Sequence, residues 1–313
     1  MSPLSRFLLL WAGLAVVTAA ALYAVFLQAD GYADPYYLRF TTPPQRSLIL
    51  GTSRAAQGIQ PAVLGEVLGR NDLYNFAFTI GTSPYGPDYN ELIRRKLADG
   101  TDGNAVFILA VDPWSLSVSC PTGPDSLCLE ERDRFTGQLK TVSRKPNFEY
   151  LLNYYGSPYY RLLLPTSREI ELQDDGWLQV NVQISAAKFV ANREEKLIPY
   201  RRYAKRWRLS DYRLRYLKRL IAQLRERGQV CLVRLPVDLE MFALEEEYAP
   251  GFSDLARRWA VETGAPFLDL TADNAAYRTL DGQHLEQTSG RRVSRVIGEW
   301  MLKESDRTLK GPS

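Results

Sequence analysis

Apolar residues form one long uninterrupted run at the start of the chain and only short runs after it. No charged residue occurs between Phe7 and Leu27, a stretch long enough to cross a hydrocarbon core of ~30 Å. A cleaved signal peptide is the alternative, but its apolar core is normally only about 7–15 residues long and is followed by a site of small residues. We therefore predict an uncleaved, single transmembrane anchor over residues 7–28.

The charges beside this segment indicate its orientation weakly. Arg6 precedes it, and Arg39 and Arg46 follow it at a greater distance. Since positive residues are enriched on the cytoplasmic side, we expect residues 1–6 to form a short cytoplasmic tail and the bulk of the chain to lie on the periplasmic or extracellular side. Residues 29–46 combine Gly, Pro and Asp with aromatic residues, which predicts a juxtamembrane linker.

Beyond residue 46, short apolar runs alternate with amphipathic segments. The runs at residues 47–50, 73–78, 105–111, 230–237 and 266–270 predict strands, and the segments at 61–68, 88–98, 210–227, 253–263 and about 286–302 predict helices. This alternation predicts an α/β fold, namely a doubly wound, mostly parallel sheet in a flavodoxin-like arrangement of three layers. We expect it to span residues 47–305, with one long insertion at about 115–210 and a tail at 306–313.

The composition narrows the class of protein further. The 39 Lys and Arg residues nearly balance the 36 Asp and Glu residues, so a surface that binds nucleic acid as a whole is not expected. Cys231 lies in an apolar run and is predicted to be buried, whereas Cys120 and Cys128 flank a loop rich in Pro and Gly. This pair forms either a small disulfide ring in an oxidising compartment or two unpaired thiols. With one histidine, no CxxC pair and no phosphate-binding glycine motif, the sequence predicts no metal and no cofactor.

The only histidine, His284, lies after the last predicted strand, three residues beyond Asp281. Ser53 follows the first predicted strand, and Gly51 gives that turn its conformational freedom. Because the carboxyl ends of parallel strands meet at one edge of a sheet, we expect all three polar side chains there. A carboxylate that accepts the imidazole Nδ1–H while Nε2 faces a serine is the arrangement that activates a nucleophile.

Several segments resemble the SGNH (GDSL-like) hydrolases. Gly51-Thr52-Ser53 matches the first motif of that family, and Asp281-Gly282-Gln283-His284 matches its last. The order of the anchor and the segments LILGTSRAAQGI, YNFAF, AVDPWSLS, LVRLP and DGQHL is similar to the membrane-anchored, envelope-facing members. Those members include the D-alanyl transfer protein of teichoic-acid modification and the O-acetyltransferases of exopolysaccharides. The resemblance covers about residues 47–301.

The resemblance implies a role for each of these residues. Ser53 would be the nucleophile, His284 the general base and Asp281 the acid that orients it. The oxyanion would be bound by the backbone N–H of Ser53 and by that of a glycine after the second strand, for which Gly81 is the best match.

The chain departs from the family pattern at two places. Thr52 replaces the usual acid of the first motif. The third motif, a Gly-x-Asn-Asp whose asparagine donates to the oxyanion, is replaced by Val-Asp-Pro-Trp-Ser at residues 111–115. Loss of one such donor costs about 3–4 kcal/mol of transition-state stabilisation unless another group replaces it.

Three further residues are candidates for substrate binding. Arg54, beside the serine, is expected either to bind a substrate carboxylate or phosphate or to form a salt bridge. Asn75 would support the site from the second strand or make a structural hydrogen bond. Trp114 lies where the third motif is missing.

The insertion offers two candidate binding surfaces. Five tyrosines between Phe148 and Tyr160 suit sugar rings or pack against the sheet. Residues 193–227 hold 13 Lys or Arg against 4 acidic residues. This basic patch faces either an anionic polymer or lipid headgroups, or it is simply solvated.

Together these features predict a membrane-anchored serine esterase or O-acyltransferase. An acyl-enzyme on Ser53, with acetyl as the expected group, would pass the acyl group to water or to a hydroxyl of an envelope or secreted polysaccharide. The expected partners are the membrane, this acylated envelope substrate and a membrane-bound acyl donor protein. The alternative, favoured by the missing third motif, is a catalytically inactive SGNH-fold scaffold or glycan-binding component of a membrane-associated polysaccharide assembly.

Overall fold

Strands that are apolar along their whole length form the centre of the fold. A computed structural model of the chain describes residues 1–100, 102–164 and 169–310. Its strands are β1 (Ser47–Leu50), β2 (Leu73–Asn75), β3 (Ala105–Ala110), β4 (Ser117–Val118), β5 (Ile170–Leu172), β6 (Leu178–Val180), β7 (Arg208–Leu209), β8 (Gly228–Arg234) and β9 (Phe267–Asp269). Every residue of β1, β2 and β3 is buried, as expected for a sheet that is covered on both faces.

Five of these strands form one parallel sheet, in the order β2-β1-β3-β8-β9. Leu48 of β1 lies opposite Phe107 of β3, and Ile108 of β3 lies opposite Cys231 of β8. Cys231 is a buried free thiol, which confirms its predicted place in the core. If these five strands are numbered by their order along the chain, they lie in the order 2-1-3-4-5, which is that of flavodoxin-like sheets. In such sheets, ligands bind where the strand order reverses, which in this protein is at the carboxyl ends of β1 and β3.

The helices are α1 (Pro3–Leu27), α2 (Ser53–Gly58), α3 (Pro61–Leu68), α4 (Pro87–Lys96), α5 (Phe135–Gln138), α6 (Phe148–Asn153), α7 (Ala186–Arg206), α8 (Asp211–Arg225), α9 (Leu239–Tyr248), α10 (Phe252–Thr263) and α11 (Gln287–Lys310). They fall into two sets by their contacts, because α2 and α3 contact α11, whereas α4 and α10 contact α8. The fold is therefore α/β with a five-stranded parallel sheet, and the two sets of helices are consistent with layers on both faces.

Helix α1 is long and apolar enough to cross a membrane, with a mean hydropathy of 2.2 in its most apolar window and no buried residue there. It begins at Pro3, earlier than the predicted Phe7, because Pro suits the first position of a helix and the Ser2 side chain caps it by accepting the N–H of Ser5. At the other end of the chain, α11 runs to Lys310 through most of the predicted tail, and residues 311–313 lie outside the described residues.

Residues 29–46 belong to the folded domain, which corrects the prediction of a linker. Tyr37 and Phe40 are completely buried, and the ring of Phe40 stacks on Phe78 at 5.4 Å between centroids. Arg39 is also completely buried, and it donates to the backbone carbonyls of Asn75 and Gly176 at 3.1 and 2.7 Å. Tyr37 and Phe40, which were interpreted as part of a linker, are core residues, and Ala29 is buried as well, so the domain begins directly after α1.

The insertion starts and ends side by side, since β4 pairs antiparallel with β7. Between them lie a second antiparallel pair, β5 and β6, and the 21-residue helix α7. Cys120 and Cys128 are joined by a disulfide, with 5.4 Å between their Cα atoms, as one of the two alternatives from the sequence predicted. Of the five tyrosines, Tyr150 is buried against Tyr37 and therefore serves the core.

Candidate active site

Ser53 lies at the carboxyl end of β1, in the turn that leads into α2. Gly51 has a φ of 143°, a conformation that side-chain-bearing residues rarely adopt, and a Cβ there would lie 3.0 Å from the Cβ of Ala110. The turn therefore requires glycine. As the first residue of α2, Ser53 has a backbone N–H without an acceptor inside the helix, and its side chain is partly exposed.

Asp281 and His284 lie in the loop before α11, and the three predicted catalytic residues form one hydrogen-bonded chain. The distance from Ser53 Oγ to His284 Nε2 is 2.8 Å, and that from His284 Nδ1 to Asp281 Oδ2 is 2.7 Å. The other oxygen of Asp281, Oδ1, accepts the backbone N–H groups of Gln283 and His284 at 3.2 and 3.0 Å. A proton on Nδ1, held by Asp281, leaves Nε2 ready to accept the serine proton.

Helix α7 of the insertion holds the loop that carries Asp281. Lys196 places its ammonium group 3.3 Å from Asp281 Oδ2, and the Asn192 side chain donates to the carbonyl of Leu280 at 3.3 Å. Burial opposes ionisation of the Asp281 carboxyl group, but His284 and Lys196 outweigh it and hold the pKa of Asp281 below its ordinary value. Asp281 is therefore a carboxylate at neutral pH. Lys196 belongs to the basic patch that the sequence predicted at residues 193–227, but the sequence did not predict its contact with Asp281.

Arg54 is buried in a network of charges, which confirms the salt-bridge alternative and corrects the one in which it binds a substrate. Its Nη1 lies 2.6 Å from Glu245 Oε1, and only 5% of the side chain is exposed. The second oxygen of Glu245 pairs with Arg234 at 3.0 Å. Burial opposes ionisation of Glu245, but the two guanidinium groups outweigh it and lower its pKa. The network connects α2 to β8 and α9.

Asn75 and Trp114 are also structural in this fold, and neither is exposed to a substrate. The Asn75 amide donates to the carbonyls of Ala55 and Ile59 at 2.9 Å each and so holds α2 against β2. The Trp114 ring stacks on Tyr248 at 4.5 Å, and its Nε1 donates to Glu245 at 3.0 Å. Asn75 therefore holds α2 directly, and Trp114 holds it indirectly, through Glu245 and Arg54.

The turn that contains Gly81 is attached to the serine turn. Ser83 Oγ donates to the carbonyl of Gly51 at 2.7 Å and accepts the N–H of Phe78 at 3.1 Å. Gly81 lies in this turn and is partly exposed. After β3, where the resemblance implied an asparagine donor, Asp112 accepts the N–H of Ser115 at 2.8 Å. A carboxylate in that place accepts hydrogen bonds, so it is no substitute for the missing amide donor.

A cavity of about 490 Å³ opens beside His284 and Asp281. This volume is within the range of small-molecule sites. Its polar lining comes from Gln57, Asn192, Glu195 and Lys196. Its apolar lining comes mostly from the insertion, namely Ile170, Val180, Val182, Ile184 and Pro199, together with Leu280. We call it the His284 cavity.

Sequence reasoning missed two elements that build the site, α7 and α9. Helix α7 supplies Lys196 and, with Asn192, Glu195 and Pro199, part of the cavity lining, and α9 supplies Glu245. One signal pointed to α9, because Arg234 in an apolar strand requires a buried carboxylate partner. No spacing in the sequence connects Lys196 with Asp281, since the two are brought together only by the tertiary fold.

Comparison of the chain with family models and with curated proteins finds no match in either case. Within residues 1–100, 102–164 and 169–310, no group of three or more His, Cys, Asp or Glu residues is arranged to hold a metal ion.

Proposed function

We propose that the protein is a membrane-anchored serine esterase or O-acyltransferase with a doubly wound, SGNH-like fold. The observation that carries this proposal is the continuous hydrogen-bonded chain from Ser53 through His284 to Asp281, at 2.8 and 2.7 Å. A serine, a histidine and a carboxylate in this order are the parts that nucleophilic acyl transfer needs. They meet at the edge of the sheet where ligands bind in such folds.

In the proposed reaction, Ser53 Oγ attacks the carbonyl carbon of an ester while His284 Nε2 takes the serine proton. His284 then gives this proton to the leaving alcohol, and an acyl-enzyme on Ser53 remains. Water or a hydroxyl of an acceptor next gives its proton to His284 and attacks the acyl carbon. The proton returns to Ser53 as the product leaves. Transfer to water makes the protein an esterase, and transfer to a sugar hydroxyl makes it an O-acyltransferase.

The oxyanion of each tetrahedral intermediate requires donors near Ser53. We assign the backbone N–H of Ser53 and that of Gly81 to this role. The free position of the Ser53 amide at the start of α2 and the attachment of the Gly81 turn to Gly51 support the assignment.

Two features favour the envelope location that we propose, and with it a substrate outside the cytoplasm. Helix α1 can span a membrane, and the Cys120–Cys128 disulfide is typical of an oxidising compartment. The substrate class that fits this place is an acylated polysaccharide of the envelope or a secreted one, with a membrane-bound acyl donor protein as a partner of the transferase. The His284 cavity is the place we assign to the substrate.

One observation favours the alternative, a catalytically inactive scaffold or glycan-binding component. Asp112 accepts hydrogen bonds at the position where an oxyanion donor would be expected. A scaffold would keep the fold and the cavity, but its serine would not react with an electrophile.

A fluorophosphonate probe and an acetyl-ester test substrate distinguish the two functions. We expect the full-length protein in detergent to be labelled by the probe and to turn over the ester. Ser53→Ala should abolish labelling and lower kcat by at least about 10⁴-fold. The matched control is Ser126→Ala, which removes a partly exposed serine of the disulfide loop and should be labelled like the wild type.

The outcomes decide between the proposals. A wild-type protein that is folded and yet neither labelled nor active would overturn the esterase proposal in favour of the scaffold. Equal labelling of Ser53→Ala would remove Ser53 from the mechanism. Circular dichroism checks that each variant has kept the fold.

A further inference from the structure

Several large apolar side chains lie exposed around the end of α1 where it meets the domain. They belong to α6 and to the short helix at Tyr159–Leu162 with the two residues that follow it. We call them the anchor-base patch, namely Phe148, Leu152, Tyr160, Leu163 and Leu164, whose exposed fractions range from 38% to 67%. Apolar residues collected in this way commonly mark an interaction surface.

The patch is attached to α1 by aromatic contacts. The ring of Phe26 lies 5.7 Å from that of Phe148 and 5.1 Å from that of Tyr159. Tyr23 stacks on Phe148 at 5.9 Å, and the Tyr159 hydroxyl donates to the carbonyl of Leu151 at 3.1 Å. Leu152 follows Phe148 by four residues and so lies on the same face of α6. The patch and the end of α1 therefore form one surface.

The length of α1 sets the depth of this surface. With a rise of about 1.5 Å per residue, the charge-free stretch from Phe7 to Tyr23 spans about 25 Å, most of the hydrocarbon core of ~30 Å. Tyr23 then lies near the boundary between hydrocarbon and headgroups, where tyrosine is enriched in membrane helices. Phe148, stacked on Tyr23, lies at the same depth.

We propose that the anchor-base patch rests in the headgroup region of the lipid bilayer, so that the domain is docked on the membrane surface as well as tethered to it. This inference rests on the membrane anchor proposed above. Exposed cations border the patch, with Arg144 and Lys145 just before α6 and Arg161 beside Tyr160. Their charges suit lipid phosphates, while the apolar side chains suit the start of the acyl chains.

Docking would keep the catalytic site close to the membrane. The N–H of Leu172 in β5 donates to the carbonyl of Gly31 at 2.9 Å, and Gly31 is only four residues beyond the end of α1. Such a segment reaches at most about 14 Å. Strands β5 and β6 also carry Ile170 and Val180 of the His284 cavity. In the docked protein, the cavity wall that these strands form therefore lies close to the membrane surface.

Nitroxide labels on the full-length protein measure the depth of the patch. The protein is reconstituted in vesicles of phosphatidylethanolamine and phosphatidylglycerol, and each label's collisions with oxygen and with a water-soluble nickel chelate are compared. The test variants are Leu152→Cys and Leu164→Cys. Two controls are Val16→Cys within α1 and Val261→Cys on α10, which are 68% and 85% exposed. The native cysteines do not compete, because one is buried and two form the disulfide.

We expect labels at 152, 164 and 16 to collide preferentially with oxygen and the label at 261 to collide preferentially with the nickel chelate. If the labels at 152 and 164 behave like the one at 261 while the label at 16 remains in lipid, docking is overturned but the anchor is not. The patch would then be covered by another membrane protein. A water-exposed label at 16 would overturn the anchor itself, and the docking inference with it.

Discussion

Asp281 makes four interactions within the candidate site, and each restricts the geometry of His284. One carboxylate oxygen, Oδ2, accepts a hydrogen bond from Nδ1 of His284 and lies close to the ammonium group of Lys196. The other oxygen, Oδ1, accepts hydrogen bonds from two backbone N–H groups of the same loop. The carboxylate cannot rotate without losing several of these hydrogen bonds. It therefore fixes both the tautomer and the direction of the imidazole, as a positioning residue should.

Replacing Asp281 with Asn should reduce both activity and stability. The amide no longer selects the correct imidazole tautomer, so we expect kcat to fall by about 10³- to 10⁴-fold. The pKa of Asp281 is lowered in the folded state, so its stabilising contribution is present above its ordinary pKa of 3.8 and is lost as the pH falls through the folded value. We therefore expect a loss of about 1–3 kcal/mol at pH 7 that shrinks below pH 4.

Urea denaturation at pH 7 and pH 3 measures the stability part of this prediction. Asp254→Asn is the matched control, because its carboxylate is 70% exposed and pairs only at the surface with Arg257. This control should change the free energy of unfolding by less than about 0.5 kcal/mol at either pH. A difference between Asp281→Asn and wild type that grows on acidification would contradict the assigned direction of the pKa shift.

The sequence predicted Ser53, Asp281 and His284 because each follows a strand or precedes a helix whose pattern is clear. The other candidates were harder. Arg54 was a candidate for substrate contact or for a salt bridge because it follows Ser53, and Trp114 was a candidate because it lies where the third motif is missing. In the fold both make contact with Glu245, which is nearly 200 residues from Arg54, and no local pattern indicates that contact.

At the scale of elements, α9 acts as a support for the serine turn. Leu239–Tyr248 buries only Met241 and Glu245 among its ten residues. A charged residue on the buried side interrupts the apolar stripe that would have predicted the helix. That same carboxylate lies between Arg54 and Arg234, so the helix is held to the sheet by charge as well as by packing.

Replacing Glu245 with Gln should destabilise the protein strongly. The variant removes the buried carboxylate that lies between the two guanidinium groups and leaves them only Glu246 and the more distant Asp112, and breaking a buried pair in this way costs about 3–5 kcal/mol. Glu246→Gln is the control, because Glu246 also pairs with Arg234 at 3.1 Å but is 35% exposed. It should cost less than about 1 kcal/mol. Urea denaturation of both variants makes the comparison, and equal losses would show that burial of the network does not matter.

At the scale of the whole molecule, the two ends of the chain are fastened together around the site. The hydroxyl of Ser294 in α11 accepts the backbone N–H of Gln60 at 2.8 Å. The side-chain amide of Gln60 donates to the backbone carbonyl of Gln287 in α11 at 2.7 Å. The segments that carry Ser53 and His284 are thus fixed to each other directly. The alternation of strands and helices predicted that these two segments lie at one edge of the sheet, because the carboxyl ends of parallel strands meet there.

The start of the domain was less predictable, for a physical reason. Residues 29–46 form little regular structure, and their composition is typical of loops. Their burial depends on aromatic contacts such as that of Phe40 with Phe78 and on Arg39, which bonds to backbone carbonyls far along the chain. Periodicity carries no information about such contacts, so only the tertiary fold reveals that this segment is core.

The disulfide predicts on which side of the membrane the domain lies. The chain has three cysteines, and Cys231 is the free one. If the domain is outside the cytoplasm, denatured protein from cells should react with one equivalent of a maleimide-polyethylene glycol before reduction and with three after it. Cys120→Ser should show two reactive thiols under both conditions. A domain in the reducing cytoplasm would show three reactive thiols in the wild type without reduction, and this result would contradict both the orientation and the proposed envelope substrate.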